Sequence, residues 1–180
     1  AFSQRQGADW TAIVVVGMDH EGFIYVLDVD RFRTDRISTY FDRLFTAYSK
    51  WQFGKIRLEV TVAQQAIVRD LKDNYIRPNG LPLAIDEYRP NRNEGSKEER
   101  MAAVLNPRYD LGSIYHYRGG NCQVLEDELI PSKPEHDDVK DALTAAIDIA
   151  KAPLKARARR ENNVLQFHGR FGGVSFRGAT

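Results

Sequence analysis

Hydrophobic and polar positions follow two periods along this chain, and the switches between them mark its elements. Thr11 to Val16 (TAIVVV) is apolar and β-branched, the pattern of a central strand. Asp19-His20-Glu21-Gly22 reads as a turn, and Phe23 to Val29 alternates well enough to pair back as a hairpin partner. From Ile37 the period lengthens: Ile37, Tyr40, Phe41, Leu44, Phe45 and Tyr48 recur at helical spacing, which predicts an amphipathic helix ended by Trp51 to Gly54. Ile56, Leu58, Val60 and Val62 then alternate with Lys55, Arg57, Glu59 and Thr61, so Lys55 to Val62 reads as a strand with Glu59 in its middle.

A second helix is expected over Gln64 to Tyr75, closed by the Pro78-Asn79-Gly80 turn. Leu83 to Tyr88 is a short strand leading into the polar loop Pro90 to Gly95. Ser96 followed by Glu99 has capping-box spacing, and the helix it opens continues through Met101, Val104 and Leu105 to about Asn106. Ser113 to Tyr117 is a short β-like run, and Gln123 to Leu129 a turn or two of helix. The last patterned stretch, His136 to Ala152, is a helix whose apolar face is Val139, Ala142, Leu143, Ala146, Ile149 and Ala150. Strands alternating with helices predict an α/β fold, its sheet covered by helices on both faces.

At 180 residues the chain is long enough for one sizeable core. The patterned part, residues 1–152, is expected to be a single domain. Between Lys151 and Arg160 stand five basic residues (Lys151, Lys155, Arg157, Arg159 and Arg160) and no acid, so residues 153–180 read as a basic tail. Such a tail is either a solvated terminus or an arm for phosphates or a partner. A formal net charge of +1 means that any affinity for nucleic acid depends on where the charges sit. The lone Cys122 excludes an intrachain disulfide and a cysteine-based metal cluster. No apolar run has membrane-spanning length and AFSQRQGADW lacks signal-peptide shape, which predicts a cytoplasmic protein with no membrane partner.

Carboxylates carry the candidate chemistry. On the wheel of the last helix Asp138 falls at the edge of the apolar arc, while Asp137 and Asp141 point further round toward solvent. Aspartates at a helix start also cap orphan N–H groups, so the cluster has a purely structural alternative. Glu59 within a strand and Asp9 just before another are acids that an α/β sheet can bring to one edge with Asp138. Three carboxylates without cysteine ligands suit Mg²⁺ or Mn²⁺, and two such ions can hydrolyse a phosphodiester. There is no GxSxG and no HExxH for other hydrolytic chemistry.

The ordered series GADWTAIVVVG, IYVLDVDRFR, LEVTVAQQAI, GSKEERM, LEDELI and HDDVKDAL resembles the nuclease domain of the large terminase subunit of tailed bacteriophages. The resemblance extends over roughly Ser3 to Ala152. It implies a ribonuclease H-like mixed sheet flanked by helices on both faces. It also implies two Mg²⁺ or Mn²⁺ ions and endonucleolytic cutting of concatemeric double-stranded DNA during genome packaging. Carried over by motif, Glu59 and Asp138 are catalytic metal ligands, Asp137 completes the late acidic pair, Asp9 is the acid after the leading catalytic Asp, and Asp141 and His136 are second-rank candidates. Lys97 and Arg100 match GSKEERM and could approach phosphates or the acidic site; a solvated helix face paired with Glu98 and Glu99 is the alternative.

The family's leading Asp stands on a strand ahead of the Ser-rich loop, and no such strand occurs after Ala1. That Asp is expected upstream, or the Ala1 position replaces it. GxxxxGK[ST] is absent, so this polypeptide alone is not expected to be the packaging motor. Implied partners are double-stranded DNA, the terminase ATPase domain, the small terminase subunit and the capsid portal, in the cytoplasm of an infected bacterium. Arg157, Arg159 and Arg160 join Lys97 and Arg100 as nucleic-acid-binding candidates. The alternatives are another ribonuclease H-like nuclease, of resolvase or integrase type, and a non-catalytic module that binds DNA or the portal.

Overall fold

The computed structural model describes residues 10–60, 65–89, 95–131 and 133–154. Its elements run β1 (Thr11–Met18), β2 (Ile24–Phe32), α1 (Ile37–Trp51), β3 (Lys55–Glu59), α2 (Gln65–Asp70), β4 (Ala84–Tyr88), α3 (Lys97–Asp110), β5 (Ile114–Tyr115), α4 (Gln123–Leu129) and α5 (Asp138–Ile149). A π-helical segment, Leu71–Ile76, extends α2. The protein is mixed α/β, as its alternating periods predict. No helix among the described residues is long and apolar enough to cross a membrane.

The expected hairpin forms because the turn is chemically closed. Asp19 Oδ1 accepts from the backbone N–H groups of Glu21 and Phe23, each at 2.9 Å, and Gly22 takes φ 91°, which a side chain would oppose. β1 then pairs antiparallel with β2, with a register shift between Val15 and Val16. β5 lies parallel to β2, giving the order β1-β2-β5. β3 and β4 form a separate parallel pair joined through α2, a βαβ crossover.

Helices cover both faces. One core joins Ile24, Val26 and Val29 of β2 to Leu105 of α3, Leu125 of α4 and Val139, Leu143 and Ile147 of α5. The other joins Phe41, Leu44 and Tyr48 of α1 to Leu71 and Ile76, with Ile56, Leu58 and Ile85 of the β3–β4 pair against it. β1 serves both, because successive strand residues point to opposite faces: Ala12, Val14 and Val16 pack on the first core and Ile13 on the second. Between β1 and β3, which are not paired, runs a groove of about 390 Å³ bordered by Val14, Val16, Ile56, Leu58 and the small residues Ala142, Ala145 and Ala146 of α5.

Several boundaries differ from the sequence expectation. β2 continues to Phe32, whose side chain is buried. β3 stops at Glu59, so this acid ends the strand, and Thr61 and Val62 lie outside the described residues. α3 runs on through Pro107 to Asp110; Arg108 Nη1 donates to the Val104 carbonyl at 2.6 Å, and Tyr109 packs on the first core. α5 is rotated about its axis relative to the expected face. Val139, Leu143, Thr144 and Ile147 are its buried residues, while Ala142, Ala146, Ile149 and Ala150 border the groove.

Candidate functional site

Where β3 ends, the first turn of α5, the start of α3 and the beginning of β1 enclose a cavity of about 580 Å³. Glu59, Asp138, Asp141 and Asp148 line it together with Arg57, Arg100, Tyr88 and Trp10. Glu59 is exposed and Asp138 half-buried. Two acids from distant parts of the sequence therefore both line this cavity.

Asp138, Asp141, Ala145 and Asp148 follow one another at three- and four-residue steps, so the rotation of α5 places them along one stripe. Asp141, expected further round toward solvent, lines this cavity while its side chain stays 33% exposed. Asp137 is not among the residues that line the cavity; it and Asp141 are tied to Lys97, whose ammonium lies 2.8 Å from Asp137 Oδ1 and 3.4 Å from Asp141 Oδ2. Burial raises the Asp138 carboxyl above the ordinary aspartate range; the Lys97 charge opposes this and the Asp137 charge adds to it. Burial would lower the Lys97 ammonium, but its bond to Asp137 and the charges of Asp141 and Asp137 outweigh that and hold it above the ordinary lysine value.

The helix-capping alternative for these aspartates meets a competitor. Asp137 makes no side-chain cap to α5. Instead Glu128 reaches across from α4, its Oε2 accepting from the N–H groups of Val139 at 2.8 Å and Lys140 at 2.9 Å, while Oε1 accepts from Arg31 at 3.1 Å. Orphan N–H groups that an aspartate would ordinarily take are thus satisfied by a residue from another helix.

Lys97 and Arg100 enter the site because α3 starts where it does. Ser96 and Glu99 form the expected capping box, Ser96 Oγ accepting from Glu99 N at 3.2 Å and Glu99 Oε2 from Ser96 N at 2.8 Å. Lys97 therefore projects to the acidic site, not into a surface pair with Glu98 or Glu99. Arg100 Nη1 donates to the Tyr88 hydroxyl at 2.9 Å.

Arg57 is a site residue that the motif series did not single out. Its Nε donates to Asp86 Oδ2 at 2.7 Å and its Nη1 to Asp148 Oδ2 at 3.0 Å, so one guanidinium clamps β3 to β4 and to α5. That bond holds Asp86 below the ordinary carboxylate range. The signal was present in the sequence: Arg57 stands two residues before Glu59, on the same face of a strand. Trp10 was also missed; Arg31 and Arg33 lie over its ring at 4.5 and 4.2 Å, and His136 meets its edge.

The donor set at the cavity is carboxylate oxygen, which matches a hard divalent cation. Among the described residues no three of His, Cys, Asp and Glu are arranged to hold a metal ion, two of the aspartates being turned to Lys97. Cys122 is buried, and burial raises its thiol, so it offers no thiolate. Asp9, Arg157, Arg159 and Arg160 lie outside the described residues. No family model matches the chain, and no curated protein matches it.

Proposed function

We propose that this chain is the metal-dependent DNA endonuclease domain of a viral DNA-packaging terminase, with a ribonuclease H-like fold. The observation that carries the proposal is that Glu59 and Asp138 line one cavity together with Arg57 and Arg100, with Lys97 beside it on Asp137 and Asp141. Acids alone would repel a polyanion, whereas acids ringed by cations suit a phosphodiester bound through a metal. The likeness of the motif series to the terminase nuclease supports the same reading.

Glu59 and Asp138 would hold Mg²⁺ or Mn²⁺, with Asp9, Asp137 and Asp141 as the further oxygen donors of a two-ion site. Bound there, the metal supplies an activated water and stabilisation of the leaving oxygen. The rest is positioning. Arg57 fixes β3 against α5, and so fixes the carboxylate of one relative to that of the other. Glu128 fixes the first turn of α5. Double-stranded DNA is the substrate, and the ATPase domain, small subunit and portal are the partners of the assembly.

Nicking of supercoiled plasmid by the protein tests the proposal. Mn²⁺ or Mg²⁺ should support cutting, and EDTA or Ca²⁺ should not. Cutting in EDTA, or undiminished cutting by Glu59→Gln, would overturn it. A strong preference for branched over linear duplex would move the assignment to a resolvase-type nuclease.

A further inference from the structure

At the β5 end of the β1-β2-β5 sheet an aromatic cluster is presented to water. Side chains alternate along β2, so Ile24 and Val26 enter the first core while Tyr25 between them points the other way. Tyr25 stands in register with Tyr115 of β5, and the two rings stack with centroids 5.5 Å apart and planes 19° from parallel. Phe23 adds a third ring, 5.8 Å from that of Tyr115. Tyr25 and Tyr115 nevertheless stay 40% and 48% exposed, and Tyr117, two residues further on, is exposed as well. Cross-strand stacking explains why the rings meet, but not why one cluster of them is left to water at a sheet edge.

The charge beside this cluster is negative. Asp19 and Glu21 stand on the turn between β1 and β2, and Asp19 Oδ2 accepts from the Tyr25 hydroxyl at 3.1 Å. That bond, with partial desolvation and the Asp19 and Glu21 charges, holds the Tyr25 hydroxyl above the ordinary tyrosine range. Asp19 is engaged on both oxygens, since Oδ1 closes the turn. Glu21 is 60% exposed, and its carboxylate has the His20 imidazole near it at 4.0 Å. Trp10, Phe32, Trp51 and Tyr88 each carry a lysine or arginine over the ring, whereas among the described residues none lies over Phe23, Tyr25 or Tyr115.

We propose that this sheet edge docks a segment of a partner protein that presents an arginine, its guanidinium stacked on Tyr25 and Tyr115 and paired with Glu21. Aromatic faces attract cations, and a planar guanidinium both stacks on a ring and forks to a carboxylate, which a compact ammonium does not. The same two carboxylates repel phosphates, so the charge disfavours a nucleic-acid strand although the rings suit stacking. None of these residues lines the cavity of Glu59 and Asp138, and the inference is independent of the proposed function.

Titration of the isotope-labelled protein with the peptide acetyl-Gly-Arg-Gly-Arg-Gly-amide, followed by NMR, tests this. Saturable shifts are expected at Glu21, Tyr25 and Tyr115. The same peptide with lysine should bind more weakly, and the peptide with citrulline, which keeps the shape of arginine without its charge, should not bind. Tyr115→Leu should weaken binding about three-fold, as for the loss of one exposed cation–π contact, and Glu21→Gln about two-fold. Tyr115→Phe keeps the ring and should bind as wild type does. Glu21 lies on an exposed turn, so its variant keeps the test open should Tyr115→Leu not fold.

Equal binding of the citrulline peptide, shifts that leave out Tyr25 and Tyr115, or wild-type affinity in both Tyr115→Leu and Glu21→Gln would overturn the inference. Displacement of the peptide by a thymidine octamer that shifts the same resonances would overturn it in favour of a single-stranded nucleic acid. A gain in peptide affinity when Arg157, Arg159 and Arg160 are changed to Ala would overturn it in favour of this chain's own tail.

Discussion

Glu128 Oε2 accepts a hydrogen bond from the backbone N–H of Val139 at 2.8 Å, so a side chain from α4 caps α5. The carboxylate is buried and also bound by Arg31, which makes it a strut under the first turn that carries Asp138. Replacing it by Ala leaves two N–H groups and a guanidinium without their partner. We expect Glu128→Ala to cost about 3 kcal/mol, measured by urea unfolding. A loss near zero would mean that α5 is capped from elsewhere.

The same residue has a pH signature. Burial raises the Glu128 carboxyl, more than its bonds to Lys140 and Val139 and the Arg31 charge lower it. A raised folded value means that the contribution to stability is fully present below the unfolded carboxyl value and is lost as pH rises through the folded one. Glu128→Gln does not titrate. The stability of wild type relative to this variant should therefore be greatest at the acid end and decline toward neutrality; a difference independent of pH would refute the assignment.

Asp138→Asn separates a metal ligand from a carboxylate that only flanks the helix start, whose first N–H groups Glu128 takes. Asn keeps shape and volume, so a purely structural role predicts near-wild-type behaviour in every assay. A ligand role predicts cleavage lowered by orders of magnitude, DNA binding retained, and a smaller Mn²⁺-induced rise in Tm. Glu59→Gln should behave in the same way. Wild-type cutting by Asp138→Asn would remove it from the site.

Arg57 is expected to act through position. Arg57→Met breaks the clamp from β3 to Asp86 and Asp148 while keeping bulk. Stability should fall by about 1–3 kcal/mol, and the cleavage that remains should need more Mn²⁺, because Glu59 is no longer held relative to α5. A loss of stability with an unchanged Mn²⁺ requirement would make Arg57 purely structural.

The basic tail makes a separate prediction. Changing Arg157, Arg159 and Arg160 to Ala should flatten the plot of log affinity for duplex DNA against log salt by about 0.9 for each phosphate that the tail no longer neutralises. An unchanged slope, measured by anisotropy over a salt series, would assign the tail to a protein partner.

Much of this architecture is local and therefore legible in one dimension. The Asp19 turn, the Ser96–Glu99 box and the period of α1 are short-range hydrogen bonding and side-chain spacing, which a sequence states outright. The pair Glu59 and Asp138 stood out by its place in the strand and helix patterns and by motif likeness, and tertiary packing alone put both on the lining of one cavity. The face of α5 was misplaced because alanines satisfy a helical pattern without demanding burial; only the shape of the surrounding layers decides which small residues meet a groove and which stripe meets the cavity. Glu128, Arg57 and Lys97 owe their roles to partners on other elements, from Val139 and Asp148 to Asp137. A charge in a sequence has a sign but no neighbour, and pairing energies depend on distance and burial, which exist only once the chain has folded.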